Sequence, residues 1–147
     1  MKQEVTGKMK PVQILYVCVH NAGRSQMAEA FTNFHSKRLG LPVLARSAGT
    51  MGGKEINPMA TQAMEEAGIP LDGHSPNILT AEMVESADSI ISMGCGVDAE
   101  NCPVKFLMTD DWNLSDPAGK SLPEVRAIRD EIEVRVLGLL SNLGGTQ

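Results

Sequence analysis

Aromatic residues make up only 3% of this 147-residue chain: three Phe, one Tyr and one Trp. So thin a supply argues against stacking platforms for bases or aryl ligands. The formal net charge is −5 with no block of Lys and Arg, so no basic stripe exists to follow a phosphate backbone, and no nucleic-acid partner is expected. Long apolar runs are missing as well. The stretch V-Q-I-L-Y-V-C-V, Val12 to Val19, falls far short of the ~20 residues of a membrane span and has no signal-type cleavage site, which predicts a cytoplasmic protein with no membrane partner. Cysteine is scarce and odd in number. Three thiols in a reducing compartment cannot form a disulfide scaffold, so they read as catalytic or redox groups. Repeats, low-complexity tracts and internal linkers are also lacking, and 42% hydrophobic with 21% charged residues suits one globular domain over residues 1–147. Residues 1–10 read as a flexible arm, with fraying at Gly144 to Gln147.

What is present alternates. Short β-branched apolar runs predict strands over Val12 to Val17, Val43 to Ala48, Ser89 to Met93 and Val104 to Met108. Helical spacing lies between them: Ser25 to Leu39, with Met27, Ala28, Phe31 and Phe34 on one side, and Pro58 to Ala67, ending at Gly68. A last helix begins near Ser121, where a Ser and a Glu three residues on match a capping box. It continues through Val125, Ile128, Ile132, Val136 and Leu139. This order predicts an α/β fold: a four-stranded parallel sheet with helices on both faces and ligands at the carboxyl ends of the strands.

At one such end stands C-V-H-N-A-G-R-S, Cys18 to Ser25. A loop entering a helix N-terminus turns backbone N–H groups inward and adds the positive end of the helix dipole. Asn21 tolerates left-handed backbone geometry and Gly23 permits it, so Val19, His20, Asn21, Ala22, Gly23 and Arg24 can curl into a nest for an oxyanion. Cys18 lies at its floor, where the helix N-terminus, Arg24 and the Ser25 hydroxyl favour a nucleophilic thiolate. The planar fork of Arg24 suits two oxygens of a tetrahedral anion. The competing reading makes Cys18 a small buried hydrophobe at a strand end.

The stretch C-V-H-N-A-G-R-S-Q-M-A-E resembles the phosphate loop of the low-molecular-weight protein tyrosine phosphatase superfamily, and Val12 to Leu140 is similar to its thioredoxin-coupled arsenate reductase branch. C-G-V-D-A-E-N-C-P at Cys95 to Pro103, D-W-N-L-S-D-P-A-G-K at Asp111 to Lys120 and R-D-E-I at Arg129 to Ile132 add to the likeness. The resemblance implies the low-molecular-weight phosphatase fold. It also implies Cys18 as nucleophile, Asn21 shaping the loop, Arg24 holding the oxyanion, Ser25 stabilising the thiolate and Asp116 as general acid. His20 and Gly23 depart from it, since many relatives carry Gly and Cys there. Read without the family, Asp116-Pro117-Ala118-Gly119 is a turn with Asp first and Pro second.

The same resemblance implies reduction of arsenate to arsenite through a relay: Cys95 attacks Cys18, Cys102 then attacks Cys95, and thioredoxin reduces the Cys95–Cys102 pair. In a regular helix those two α-carbons would lie about 10 Å apart, whereas a disulfide needs roughly 4.4–6.8 Å, so Gly94, Gly96 and Pro103 matter as the flanks of a pliable segment. The alternative is a phosphatase using Cys18, Arg24 and Asp116 alone. It is poorly supplied with aromatics, because Ala118 and Gly119 follow the Asp-Pro pair and Trp112 is the one platform available. A zinc site from Cys18, His20, Cys95 and Cys102 fits less well, its six-residue gap exceeding the usual two to four. His74 reads as a loop residue, His35 as a solvated helix residue and the nine Met as core packing. No cofactor is expected, although some relatives bind potassium beside the loop; Asn21, Glu29 and Ser47 look similar, and Asn77 stands where a carboxylate would be expected. A monomer is expected.

Overall fold

The computed structural model describes residues 11–51, 55–93, 110–112, 114–115 and 117–144. In chain order these form β1 (Val12–Cys18), α1 (Arg24–Leu39), β2 (Val43–Gly49), α2 (Pro58–Glu66), α3 (Ala81–Ser86), β3 (Ser89–Ser92), β4 (Asp110–Asp111) and α4 (Leu122–Gly144). The sheet order is β2-β1-β3-β4 with every neighbouring pair parallel. Three strands of four or more residues stand where the sequence puts them. The fourth expected strand, Val104 to Met108, lies outside the described residues, and β4 is a two-residue pairing of Asp110–Asp111 against Ile91 and Ser92.

Strand β1 is central and buried on both faces, which is why it reads as an unbroken apolar run rather than an alternation. Successive side chains diverge. Ile14, Tyr16 and Cys18 join the larger core with Met27 and Phe31 of α1, Met64 of α2 and Ile132 and Val136 of α4. Leu15 and Val17 join Ala48 and Ile90 in a smaller core, against which Met83 and Val84 of α3 pack. Helices therefore cover both faces of the sheet.

Helix ends follow local chemistry. The Asn57 side chain accepts from Met59 N–H and Ala60 N–H at the start of α2, with Pro58 in the first turn, where no backbone donor is needed. Ser121 and Glu124 form the expected capping box: the Glu124 carboxylate accepts from Ser121 N–H at 2.9 Å, and Ser121 Oγ accepts from Glu124 N–H at 3.4 Å. No helix among the described residues is long and apolar enough to cross a membrane.

The face of α1 differs from expectation. Phe34 is 45% exposed, while His35, expected in solvent, is 7% exposed at the junction with α4. Burial of this polar ring is offset because both nitrogens are satisfied. Nε2 pairs with Glu133 at 2.9 Å, and Nδ1 accepts from Arg38. Trp112 is also a core residue, its ring 5.5 Å from that of Tyr16, so it offers no platform at the surface.

Candidate active site

The Cys18–Ser25 loop links the carboxyl end of β1 to the N-terminus of α1, with β2 beside it. Gly49, the last residue of β2, makes that approach possible: a Cβ there would lie 2.6 Å from Val19 O and 2.8 Å from the His20 carbonyl carbon. Backbone bonds then fasten the loop, Thr50 N–H to Cys18 O at 3.0 Å, Met51 N–H to Val19 O at 2.8 Å and Asn57 N–H to Ala22 O at 2.7 Å.

Asn21 is fully buried and holds φ +55°, the left-handed geometry its residue type tolerates. Its Oδ1 accepts from Asn77 N–H at 2.7 Å and from Gln26 Nε2 at 2.9 Å, two groups that can only donate. The amide orientation is thereby fixed, so Nδ2 faces Ser25 and donates to its Oγ at 2.7 Å. With Oγ accepting from Asn21, the Ser25 hydroxyl can still donate to Cys18 Sγ, 2.8 Å away. Asn21 N–H reaches the same sulfur at 3.2 Å. Two hydrogen bonds therefore converge on one buried sulfur. Cys18 is a free, buried cysteine.

Arg24 is buried, and its Nη1 donates to Met93 O at 2.7 Å and Leu114 O at 3.1 Å. The guanidinium thus ties the loop to the ends of β3 and of the segment after β4. Cys18, His20, Ala22, Gly23, Arg24, Asn57, Pro117 and Ala118 line a cavity of about 60 Å³. That is well below the roughly 300–1,000 Å³ of an ordinary organic-ligand site and suits a small tetrahedral anion.

The structure brings Cys18, Arg24 and Ser25 together with the loop residues Val19 to Gly23. Cys95, Cys102 and Asp116 lie outside the described residues. Lys120 N–H bonds Pro117 O at 3.1 Å, closing a turn in which Gly119 supplies the positive φ of +74°, while the first residue of the expected turn, Asp116, lies outside the described residues.

Three contributors escaped the sequence reading. Gly49 makes room for the loop, Asn57 lines the cavity while capping α2, and Gln26 donates to Asn21 O, Asn21 Oδ1 and Ser75 O while accepting from His74 Nδ1. The Asn-Pro pair was a readable capping signal for Asn57. The other two had no local signal. His74 is a loop residue as expected. Beside it, Ser47 donates to Glu29, and Asn77 Nδ2 donates to Ser47 O at 3.3 Å. Among the described residues no three His, Cys, Asp or Glu side chains gather as a metal would require.

The sequence profile of the low molecular weight phosphotyrosine protein phosphatase family matches residues 13–147. A glutaredoxin arsenate reductase of Synechocystis sp. is 33% identical over 132 residues, covering 89% of this chain and 98% of the relative. A solved arsenate reductase in the phosphate-binding state superposes with a TM-score of 0.76 at 32% identity, covering 89% of this chain and 98% of that one. An arginine phosphatase from Geobacillus stearothermophilus superposes with a TM-score of 0.75 at 30% identity, covering 93% and 96%. With its phosphate loop, parallel sheet and near-complete match, the chain belongs to the low molecular weight phosphotyrosine protein phosphatase family.

Proposed function

We propose that this protein reduces arsenate to arsenite, with a cysteine relay regenerated by thioredoxin. The observation that carries the reading is the small cavity over a doubly hydrogen-bonded Cys18 sulfur, sized for an inorganic oxyanion and lacking any aromatic wall among the described residues. Relatives named arsenate reductase support it.

In this reading the Cys18 thiolate attacks arsenic(V), and an As–O bond breaks as Asp116 protonates the departing oxygen. Arg24 and the loop N–H groups hold the remaining oxygens. The Cys95 thiolate then attacks Cys18 Sγ. As the S–S bond forms, the As–S bond breaks with its electron pair going to arsenic, which leaves as arsenite. Cys102 attacks Cys95, frees Cys18 and creates a Cys95–Cys102 disulfide that thioredoxin reduces by exchange. No metal or cofactor has a role in these steps.

The phosphatase reading retains one support, the shared loop chemistry of Cys18 and Arg24. Thioredoxin-coupled arsenate turnover measured beside hydrolysis of p-nitrophenyl phosphate separates the two. Arsenate turnover with negligible hydrolysis is expected. Hydrolysis without arsenate turnover under any reductant refutes the assignment.

A further inference from the structure

Pro117 is one wall of the cavity and the residue directly after Asp116 in sequence. It packs over Gly23: a Cβ built on that glycine would lie 2.7 Å from Pro117 Cγ, 3.6 Å from Cδ and 3.9 Å from Cβ. Carbon atoms at optimal separation lie about 3.5–4.0 Å apart, so the wall has moved in by about 1 Å relative to where any side chain at position 23 would leave it. The contact cannot be relieved by rotating a flexible tip. The proline ring is fused to its own backbone, which is closed into a turn by the Lys120 N–H to Pro117 O bond with Gly119 at positive φ. Repuckering of the ring moves Cγ by only part of the deficit, so the rest of an outward shift moves the Pro117–Ala118 segment. On the other side of the contact Gly23 is equally fixed, since its carbonyl accepts the α1 bond from Met27 N–H at 2.9 Å and Arg24 follows it.

We infer that Gly23 is a positioning residue whose missing side chain lets Pro117 close over the oxyanion loop, so that the site selects small tetrahedral anions against bulky phosphomonoesters. This deepens the arsenate reading by naming what sets the ligand size. A displacement of about 1 Å near reacting groups can cost on the order of 100-fold in rate. Gly23→Ala should cause one here, although Gly23 itself touches no reacting atom through a side chain.

The test is a double-mutant cycle on the full chain: wild type, Gly23→Ala, Pro117→Ala and the double variant. The primary readout needs no turnover. Protection of Cys18 from iodoacetamide is titrated with inorganic phosphate and, separately, with phenyl phosphate. Gly23→Ala should weaken inorganic phosphate about 10-fold in the wild-type background and less than about 3-fold in the Pro117→Ala background, where no ring remains to collide. The preference for inorganic over phenyl phosphate should fall in both single variants. An equal penalty for Gly23→Ala in the two backgrounds overturns the inference, as does an unchanged preference. So does failure of both proteins carrying Gly23→Ala to fold, because the strain then lies elsewhere. Arsenate turnover is read on the same four proteins. A wild type without it refutes the proposed function and leaves the phosphate cycle to decide the role of Gly23.

Discussion

Replacing Asn21 with aspartate changes one NH₂ into an oxygen and should nearly abolish activity while preserving the fold. The shape is unchanged, and Oδ1 keeps both donors, Asn77 N–H and Gln26 Nε2. At the other end, an ionised carboxylate cannot donate to Ser25 Oγ, so the Ser25 proton turns toward it and away from Cys18. Loss of one hydrogen bond to a charged sulfur costs about 1.5–3 kcal/mol. The new anion also lies near the thiolate. The bonds joining Asn21 Nδ2 to Ser25 Oγ and Ser25 Oγ to Cys18 Sγ are 2.7 and 2.8 Å, so the two groups are separated by at most about 5.5 Å. At an effective dielectric constant of about 20, that repulsion is about 3 kcal/mol. Together these correspond to a loss of three to four orders of magnitude in kcat/KM, at about 1.4 kcal/mol per tenfold. The perturbation has a signature that general damage lacks. Once protonated, the introduced carboxyl donates as the amide did, so the ratio of variant to wild-type turnover should rise as pH falls. The assay is arsenate turnover from pH 5 to 8 with urea unfolding as the control. Activity within tenfold of wild type, or a ratio independent of pH, would refute the proton directions assigned to Asn21 and Ser25.

Arg24→Lys keeps the charge but replaces the rigid planar fork, which now reaches Met93 O and Leu114 O, with a compact ammonium that cannot hold two oxyanion oxygens side by side; turnover should fall by about 10²–10³ with an unchanged far-UV circular dichroism spectrum, and near-wild-type turnover contradicts its clamp role. Glu66 accepts from Arg126 at 2.8 Å, and this bond, with the further charge of Arg129, holds its carboxyl below the ordinary 4.5. Because the folded value is the lower one, the stabilisation is complete above about pH 4.5 and lost as pH falls through the folded value. Urea unfolding should accordingly show Glu66→Gln less stable than wild type at pH 7, with the gap shrinking toward pH 3; a gap independent of pH excludes this pair from the acid response. His35→Ala removes a buried ring stacked on Phe31 and its bond to Glu133, which should cost about 2–4 kcal/mol in urea unfolding, and a cost below about 0.5 kcal/mol would mean that the helix junction does not depend on it.

The parts of the fold legible in the sequence are those coded by neighbours along the chain. The apolar run of β1, the capping box of Ser121 and Glu124, and the strand-loop-helix setting of Cys18 each depend on contiguous residues. Helix α3 was missed because it is six residues long, buries none of them fully and starts from a lone Thr80 cap. His35 and Phe34 exchanged roles because helical spacing alone cannot show that Glu133, 98 residues away, satisfies a buried imidazole. The scaffold behind the loop was hidden for the same reason. Gln26 meets Ser75 and Asn21 meets Asn77 across 49 and 56 residues, and nothing local marks those partners.

In the proposed reaction Cys18, Cys95 and Cys102 together supply the two electrons that arsenate consumes, and everything else depends on that relay. Its most direct test is a single turnover: fully reduced protein is mixed with stoichiometric arsenate in the absence of any external thiol, the arsenite released is quantified, and the cysteine peptides are mapped by mass spectrometry. The relay predicts one arsenite per chain with a Cys95–Cys102 crosslink, and in Cys102→Ser one arsenite with a Cys18–Cys95 crosslink. Arsenite release without either disulfide, or no arsenite from a protein that hydrolyses aryl phosphate, would contradict it.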